Sequence, residues 1–277
     1  MRCIFCKTDS SHSRSIEHII PESLGNTEHV LPRGVVCDQC NNYFARKIEG
    51  PLLESMWLRH ARSRQQIANK RGLIPPLSAI IPGARMKANV WMDGSSITFQ
   101  ASNQGKQCQL VEALMNGRAN SLYIPMPNAI EERLMARFLA KIAIEILVSR
   151  VFKAEGWETN IIDEPQLDEL RRFARVGDQS TSWPYSRRRI YGENDVQLEH
   201  GADYQILHEF TLLYKNQNEL FAIVCIFGEE FAINCAGPAI DGYKDWLSEH
   251  GNKSPLYISD ELPLKRLGGF GGLFGDD

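Results

Sequence analysis

Two Cys-x2-Cys pairs constrain this chain more than any other feature. Cys3 and Cys6 form the first, and after 30 intervening residues Cys37 and Cys40 form the second. Each pair presents two thiolates from a tight turn, and two such turns complete the tetrahedral all-sulfur set that zinc prefers. Cysteine as a small buried hydrophobe does not explain ligand spacing in both pairs at once. A closed four-cysteine site has no open coordination position, so its zinc holds a fold and does no chemistry. Cys108, Cys225 and Cys235 lack such spacing and read as core or surface thiols.

The chain has 277 residues and is 43% hydrophobic, enough for a full core, which excludes disorder, collagen and miniprotein scaffolds. Its longest apolar run, Leu220–Gly228, falls far short of the roughly 20 residues a bilayer span needs, so no membrane partner is expected. Residues 1–30 lack a secretory h-region with a cleavage site, and a cytoplasmic, reducing location follows, in which paired cysteines mean metal rather than disulfides. The net charge of −3 hides a segregation. Residues 1–90 carry 13 Lys and Arg against 7 Asp and Glu, leaving 18 against 27 in the remainder. A polyanion would be held by the basic N-terminal section.

Hydrophobic patterning predicts an α+β chain in two parts: a zinc-bound module with a basic helix over 1–71, and a mixed helix plus antiparallel-sheet domain over 72–277. Residues 1–50 show little apolar periodicity, so the metal is expected to supply their stability. A short helix over Asn41–Ile48 should stop at Gly50-Pro51. A second helix, from Leu52 to Lys70, carries Arg59, Arg62 and Arg64 on a face that is either merely solvated or contacts phosphate. Gly72–Gly83 reads as a linker, Ala88–Ala101 as a hairpin around Asp93-Gly94, and Ile130–Phe152, after Pro125 and Pro127, as the core helix. Lys141 and Glu145, one turn apart on that helix, read most simply as a surface pair. Pro165–Val176 is a helix ending at Gly177, and its Arg171, Arg172 and Arg175 with Arg187, Arg188 and Arg189 could make a second basic surface. Phe210–Tyr214, Leu220–Phe227 and Phe231–Cys235 form a meander with turns at Asn216–Asn218 and Gly228–Glu230, and Leu267–Asp277 is a loosely ordered tail.

Between the cysteine pairs lie Glu17-His18-Ile19-Ile20-Pro21 and Leu24-Gly25-Asn26, and Asn41 follows the last cysteine directly. Adjacent residues on a strand point to opposite faces, so one of Glu17 and His18 can bind a metal while the other faces a water. With Asn41 at a helix start, the pair can look at an amide oxygen across a short ββα hairpin.

These residues together resemble the HNH (ββα-metal) endonucleases, in their zinc-clamped branch, over about residues 1–55. By that resemblance Glu17 and Asn41, or Asn42 in its place, bind one catalytic Mg²⁺ or Mn²⁺, and His18 is the general base for hydrolysis of phosphodiester bonds. The sequence departs from the pattern twice. Glu17 stands where Asp is usual, and Pro32 stands where a loop-bracing Asn is expected, a role Asn26 can take. Arg46, Lys47 and the Arg59, Arg62, Arg64 face would position a nucleic-acid backbone, DNA more than RNA. The rest of the chain would supply substrate choice, regulation through a protein partner, or homo-oligomerisation. Restriction and phage defence are among the settings the resemblance implies. The competing expectation is a non-catalytic zinc-ribbon module that binds nucleic acid or protein.

Overall fold

The structure is a computed structural model that describes residues 1–69, 71–93, 96–125, 130–155, 160–177, 182–192, 195–199, 202–216, 218–257 and 264–266. The expected turn at Gly94, the residue Pro127, the centre of the 216–218 turn and the tail Leu267–Asp277 lie outside these.

In chain order the elements begin with strands β1 (Glu17–His18) and β2 (Val30–Leu31), followed by helix α1 (Asp38–Phe44), a π-helical turn at Ala45–Glu49 and α2 (Gly50–Leu53). Next come α3 (Met56–Arg64), strands β3 (Leu77–Ile81), β4 (Met86–Asp93) and β5 (Ser96–Ala101), then α4 (Gln107–Met115) and α5 (Glu132–Glu155). The last part holds α6 (Asp168–Val176), β6 (Tyr185–Arg189), β7 (Asp195–Glu199), β8 (Ala202–Gln205), β9 (His208–Asn216), β10 (Glu219–Ile226), β11 (Glu229–Asn234), α7 (Asp241–Glu249) and β12 (Leu264–Arg266). The fold is α+β, and every paired strand is antiparallel. Among the described residues no helix is long and apolar enough to cross a membrane.

Contacts group the chain into two units. The first gathers residues 1–22, 26–52 and 131–277, and the second residues 23–25 and 53–130. The cysteine module therefore belongs to the same unit as the C-terminal sheet.

In the first unit β6, β11, β10 and β9 form a four-stranded sheet in that order. Residues of β10 alternate between two buried layers, as a strand covered on both faces requires. Phe221, Ile223 and Cys225 join a cluster with Tyr243 and Leu247 of α7, while α5 packs against β9, β10 and β11. The β10–β11 connection is a two-residue turn at Phe227-Gly228, both with positive φ (51° and 82°), the conformation that tight hairpins favour. The three strands of the meander and the α6 stop at Gly177 (φ 64°) lie where patterning puts them, but the second turn is at Phe227-Gly228 and not Gly228–Glu230, whose two glutamates are already paired in β11.

Other expectations need correction. Residues 1–50 are not poor in core. Ile4, Phe5, Ile20, Leu31, Val36 and Phe44 are all buried, and the Phe5 and Phe44 rings meet edge-on at 4.6 Å. Six such side chains, at about 1.5–3 kcal/mol each, rival the roughly 10–16 kcal/mol of a structural zinc. Apart from Phe44 of α1, periodicity missed them because they sit in loops and two-residue strands. Helix α5 has no single apolar stripe: positions 138–146 are buried on every side, and Lys141 and Glu145 are fully buried with them, not at the surface. Gly50-Pro51 does not stop the helix either. Proline lacks the N–H that would close an α-turn, and the π turn, with Gly50 N–H bonded to the Ala45 carbonyl, carries the chain past it into α2. The second basic surface is mostly consumed internally: Arg171 is buried against Asp168, and Arg187 and Arg189 pair with Glu229, Arg188 with Glu230.

In the second unit β3, β4 and β5 form a sheet in that order, so part of the expected linker is an edge strand with Leu77, Ala79 and Ile81 buried. Helices α3 and α4 pack on this sheet, and its core also holds Met86, Val90 and Leu110. The helix expected over Leu52–Lys70 is instead two, because Ser55 caps a fresh start by accepting from Leu58 N–H.

Candidate metal and nuclease centre

The four predicted cysteines come together. The sulfurs of Cys3, Cys6, Cys37 and Cys40 all lie within 4.8 Å of one another. Those of Cys6 and Cys37 are 3.6 Å apart, close to the spacing of about 3.8 Å in a tetrahedron of 2.3 Å zinc–sulfur bonds. The donor set therefore fits a structural zinc. Backbone geometry preforms it: Cys37 caps α1, its Sγ accepting from Cys40 N–H, and Cys37 N–H donates to Cys3 Sγ at 3.3 Å. A hydrogen bond from the Cys40 side chain holds the Cys3 thiol down to about 4, while burial and its neighbours push Cys37 and Cys40 up. Among the described residues this is the one group of three or more His, Cys, Asp or Glu side chains close enough to hold an ion.

Beside the knuckle, β1 and β2 form the hairpin of a ββα unit, with Glu17 opposite Leu31 and His18 opposite Val30. Asn26 braces the loop between them. Fully buried, it donates to the carbonyls of Ile20 (2.7 Å) and His29 (3.0 Å) and accepts from the N–H groups of Glu28 and His29. That is the full capacity of an amide side chain.

Two polar contacts then tie the entry of β1 to the start of α1. The Asp38 carboxylate accepts from the N–H groups of Arg14 and Ser15 and from the Ser15 hydroxyl at 2.6 Å, bonds that hold it below its ordinary range. One turn on, Asn41 Nδ2 donates to the Ile16 carbonyl at 3.2 Å. Its amide oxygen accepts no hydrogen bond among the described residues.

Alternation along β1 separates its two candidates, with Glu17 buried and His18 partly exposed. Nδ1 of His18 is buried and meets no hydrogen-bond partner among the described residues. Glu17 Oε1 lies 2.7 Å from Lys141 Nζ. That ammonium, wholly buried, also meets Glu49 at 2.9 Å, Glu145 at 3.1 Å and the His18 carbonyl at 3.2 Å. Burial alone would lower Lys141, but Glu145, Glu17 and Glu49 together keep it well above its usual value. Burial raises Glu145 strongly and Glu17 less, the attraction of Lys141 opposing it in both.

Glu49 did not enter the sequence reading, and Lys141 entered it only as half of a surface pair with Glu145, whereas both members of that pair are buried. The signal was there, since two charges inside the otherwise apolar run 138–148 can be accommodated only as a buried pair. The basic candidates divide. Arg46 and Lys47 stand exposed on the π turn after α1. On α3, in the second unit, Arg64 is exposed, Arg59 is half-buried near Glu54, and Arg62 is buried, its desolvated guanidinium lowered. Asn42 is exposed.

No curated protein and no solved structure matches the chain. Residues 3–56, the segment that bears the knuckle, the β1–β2 hairpin and α1, match the family model described as HNH endonuclease.

Proposed function

We propose that this chain is a metal-dependent endonuclease that hydrolyses phosphodiester bonds, with DNA as its polymer. The observation that carries the reading is the convergence at β1: Asn41 bonded to the residue before Glu17, and beside Glu17 the His18 ring with a buried, unpartnered Nδ1. Cys3, Cys6, Cys37 and Cys40 hold zinc and keep the ββα unit in register. Glu17, through the oxygen Lys141 does not take, and the Asn41 amide oxygen form the hard-oxygen pair for Mg²⁺ or Mn²⁺. When bound, such an ion supplies Lewis-acid stabilisation of charge developing on the phosphate and the leaving 3′ oxygen. The His18 imidazole takes the proton from the attacking water. Arg46, Lys47, Arg59 and Arg64 contact the phosphate backbone, and Arg62, being buried, supports α3 instead. The residues from 72 onward contribute substrate choice or regulation, and restriction or phage defence is the setting we favour.

Supercoiled plasmid incubated with Mg²⁺ or Mn²⁺ tests this. The wild-type chain should nick it, and His18→Ala, with zinc and fold intact, should not. A second reading, a non-catalytic zinc module that binds nucleic acid or protein, is favoured by one observation, the engagement of Glu17 by Lys141. Cleavage by neither protein in either metal, with DNA still bound, would select it.

A further inference from the structure

Three carboxylates from three elements, Glu17 of β1, Glu49 of the π turn and Glu145 of α5, converge on one point, and Lys141 Nζ stands there at 2.7, 2.9 and 3.1 Å. Converging carboxylate oxygens are the donor set that hard divalent cations take. Here a tethered ammonium stands between them, and around it the three carboxylates are not close enough together to hold an ion themselves. The same ammonium reaches the His18 carbonyl at 3.2 Å, so it fixes the side chain of one candidate active residue and the backbone of the next.

Its own position is rigid. Lys141 is wholly buried in α5, and one turn earlier Arg137 ties that helix to the Tyr43 hydroxyl of α1 at 2.7 Å and to the Arg175 carbonyl of α6 at 2.7 Å. The cluster is also incompletely satisfied. Glu145 Oε1 is buried with no hydrogen-bond partner among the described residues, and Glu17 Oε2 accepts none there either. One unpartnered oxygen therefore lies on the inner side of the ammonium, on α5, and one on β1.

We propose that Lys141 is a positioning residue of the nuclease centre: a resident cation that excludes divalent metal from the inner carboxylate cluster and leaves it only the free oxygen of Glu17 together with Asn41. The inference rests on the nuclease reading for its catalytic consequence, but its metal-binding consequence stands without it. Removing the ammonium while keeping the stem, as in Lys141→Met, leaves three carboxylates free to draw together on a divalent cation in a low-dielectric interior. Metal should then bind more tightly and in the wrong place.

The test uses the full-length, zinc-loaded chain and Mn²⁺ as the probe, followed by electron paramagnetic resonance and by cleavage against Mn²⁺ concentration. Lys141→Met should bind Mn²⁺ at least about tenfold more tightly than wild type, because a neighbouring positive charge has gone, yet cleave at least about tenfold more slowly at saturating Mn²⁺. A residue that merely supports the fold would slow cleavage with Mn²⁺ affinity unchanged or weakened, and that outcome overturns the proposal. If Lys141→Met does not fold alone, Lys141→Met/Glu145→Gln relieves one unpaired charge, and its melting temperature should rise with Mn²⁺ more than that of wild type. An equal or smaller rise overturns the proposal as well. Wild-type protein that never cleaves removes the nuclease reading alone, since the affinity comparison between wild type and Lys141→Met still decides the role of Lys141.

Discussion

The knuckle draws its four sulfurs from two short stretches, residues 3–6 and 37–40, whereas the cluster beneath β1 draws its groups from residues 17, 49, 141 and 145. Both gather groups that would be unfavourable if left apart in a core. Four thiolates fit an ion from outside, whereas the three carboxylates are met by a lysine of the chain itself. A site closed by an external ion can be specified by local spacing alone. One closed by a side chain needs the rest of the fold to deliver it.

The largest effect expected from breaking this pair of sites lies at the knuckle. Cys37→Ser, or zinc removal by chelator, should forfeit much of the roughly 10–16 kcal/mol a structural zinc provides. Hydrogen exchange should then become fast in residues 1–12 and 33–40, while β9–β11 and α5 stay protected by their own core. Fast exchange throughout would mean that the zinc holds the whole unit. His18→Ala comes next. It should slow plasmid nicking by about 10²–10⁴-fold with zinc content unchanged, the usual cost of a lost general base. Lys141→Met should destabilise the unit by about 3–5 kcal/mol in denaturant titration, because it leaves buried charges uncompensated, yet retain its zinc. Loss of zinc in that variant would show the two sites to be one cooperative structure. Asn26→Ala should cost about 1–3 kcal/mol, because it removes four hydrogen bonds to backbone groups of the β1–β2 loop. The smallest effect belongs to Arg46→Ala or Lys47→Ala, each expected to lower the slope of log DNA affinity against log salt by about 1 without touching either site.

The same contrast explains what could be read in advance. The cysteine set, the Glu17-His18 step and Asn41 are close neighbours in sequence, and their spacing expresses geometry directly. The meander was legible from alternation around turn residues, and the α6 stop from Gly177. Lys141 was not, because an i,i+4 Lys–Glu pair looks alike on a solvated helix and a buried one, and only the apolar residues on every side of it distinguish the two. The core of residues 1–50 escaped for a related reason: in two-residue strands and loops, burial follows long-range packing and leaves no period to detect.

The division of the chain into units has a consequence for its synthesis. Residues 1–52 are made before the helix that brings Lys141 and the sheet behind it, which follow only after residues 53–130. Without α5, Glu17 and Glu49 lack the ammonium that pairs them and the His18 carbonyl lacks its lysine bond, so a chain that stops short of α5 can bring its four cysteines together while this cluster is still unassembled.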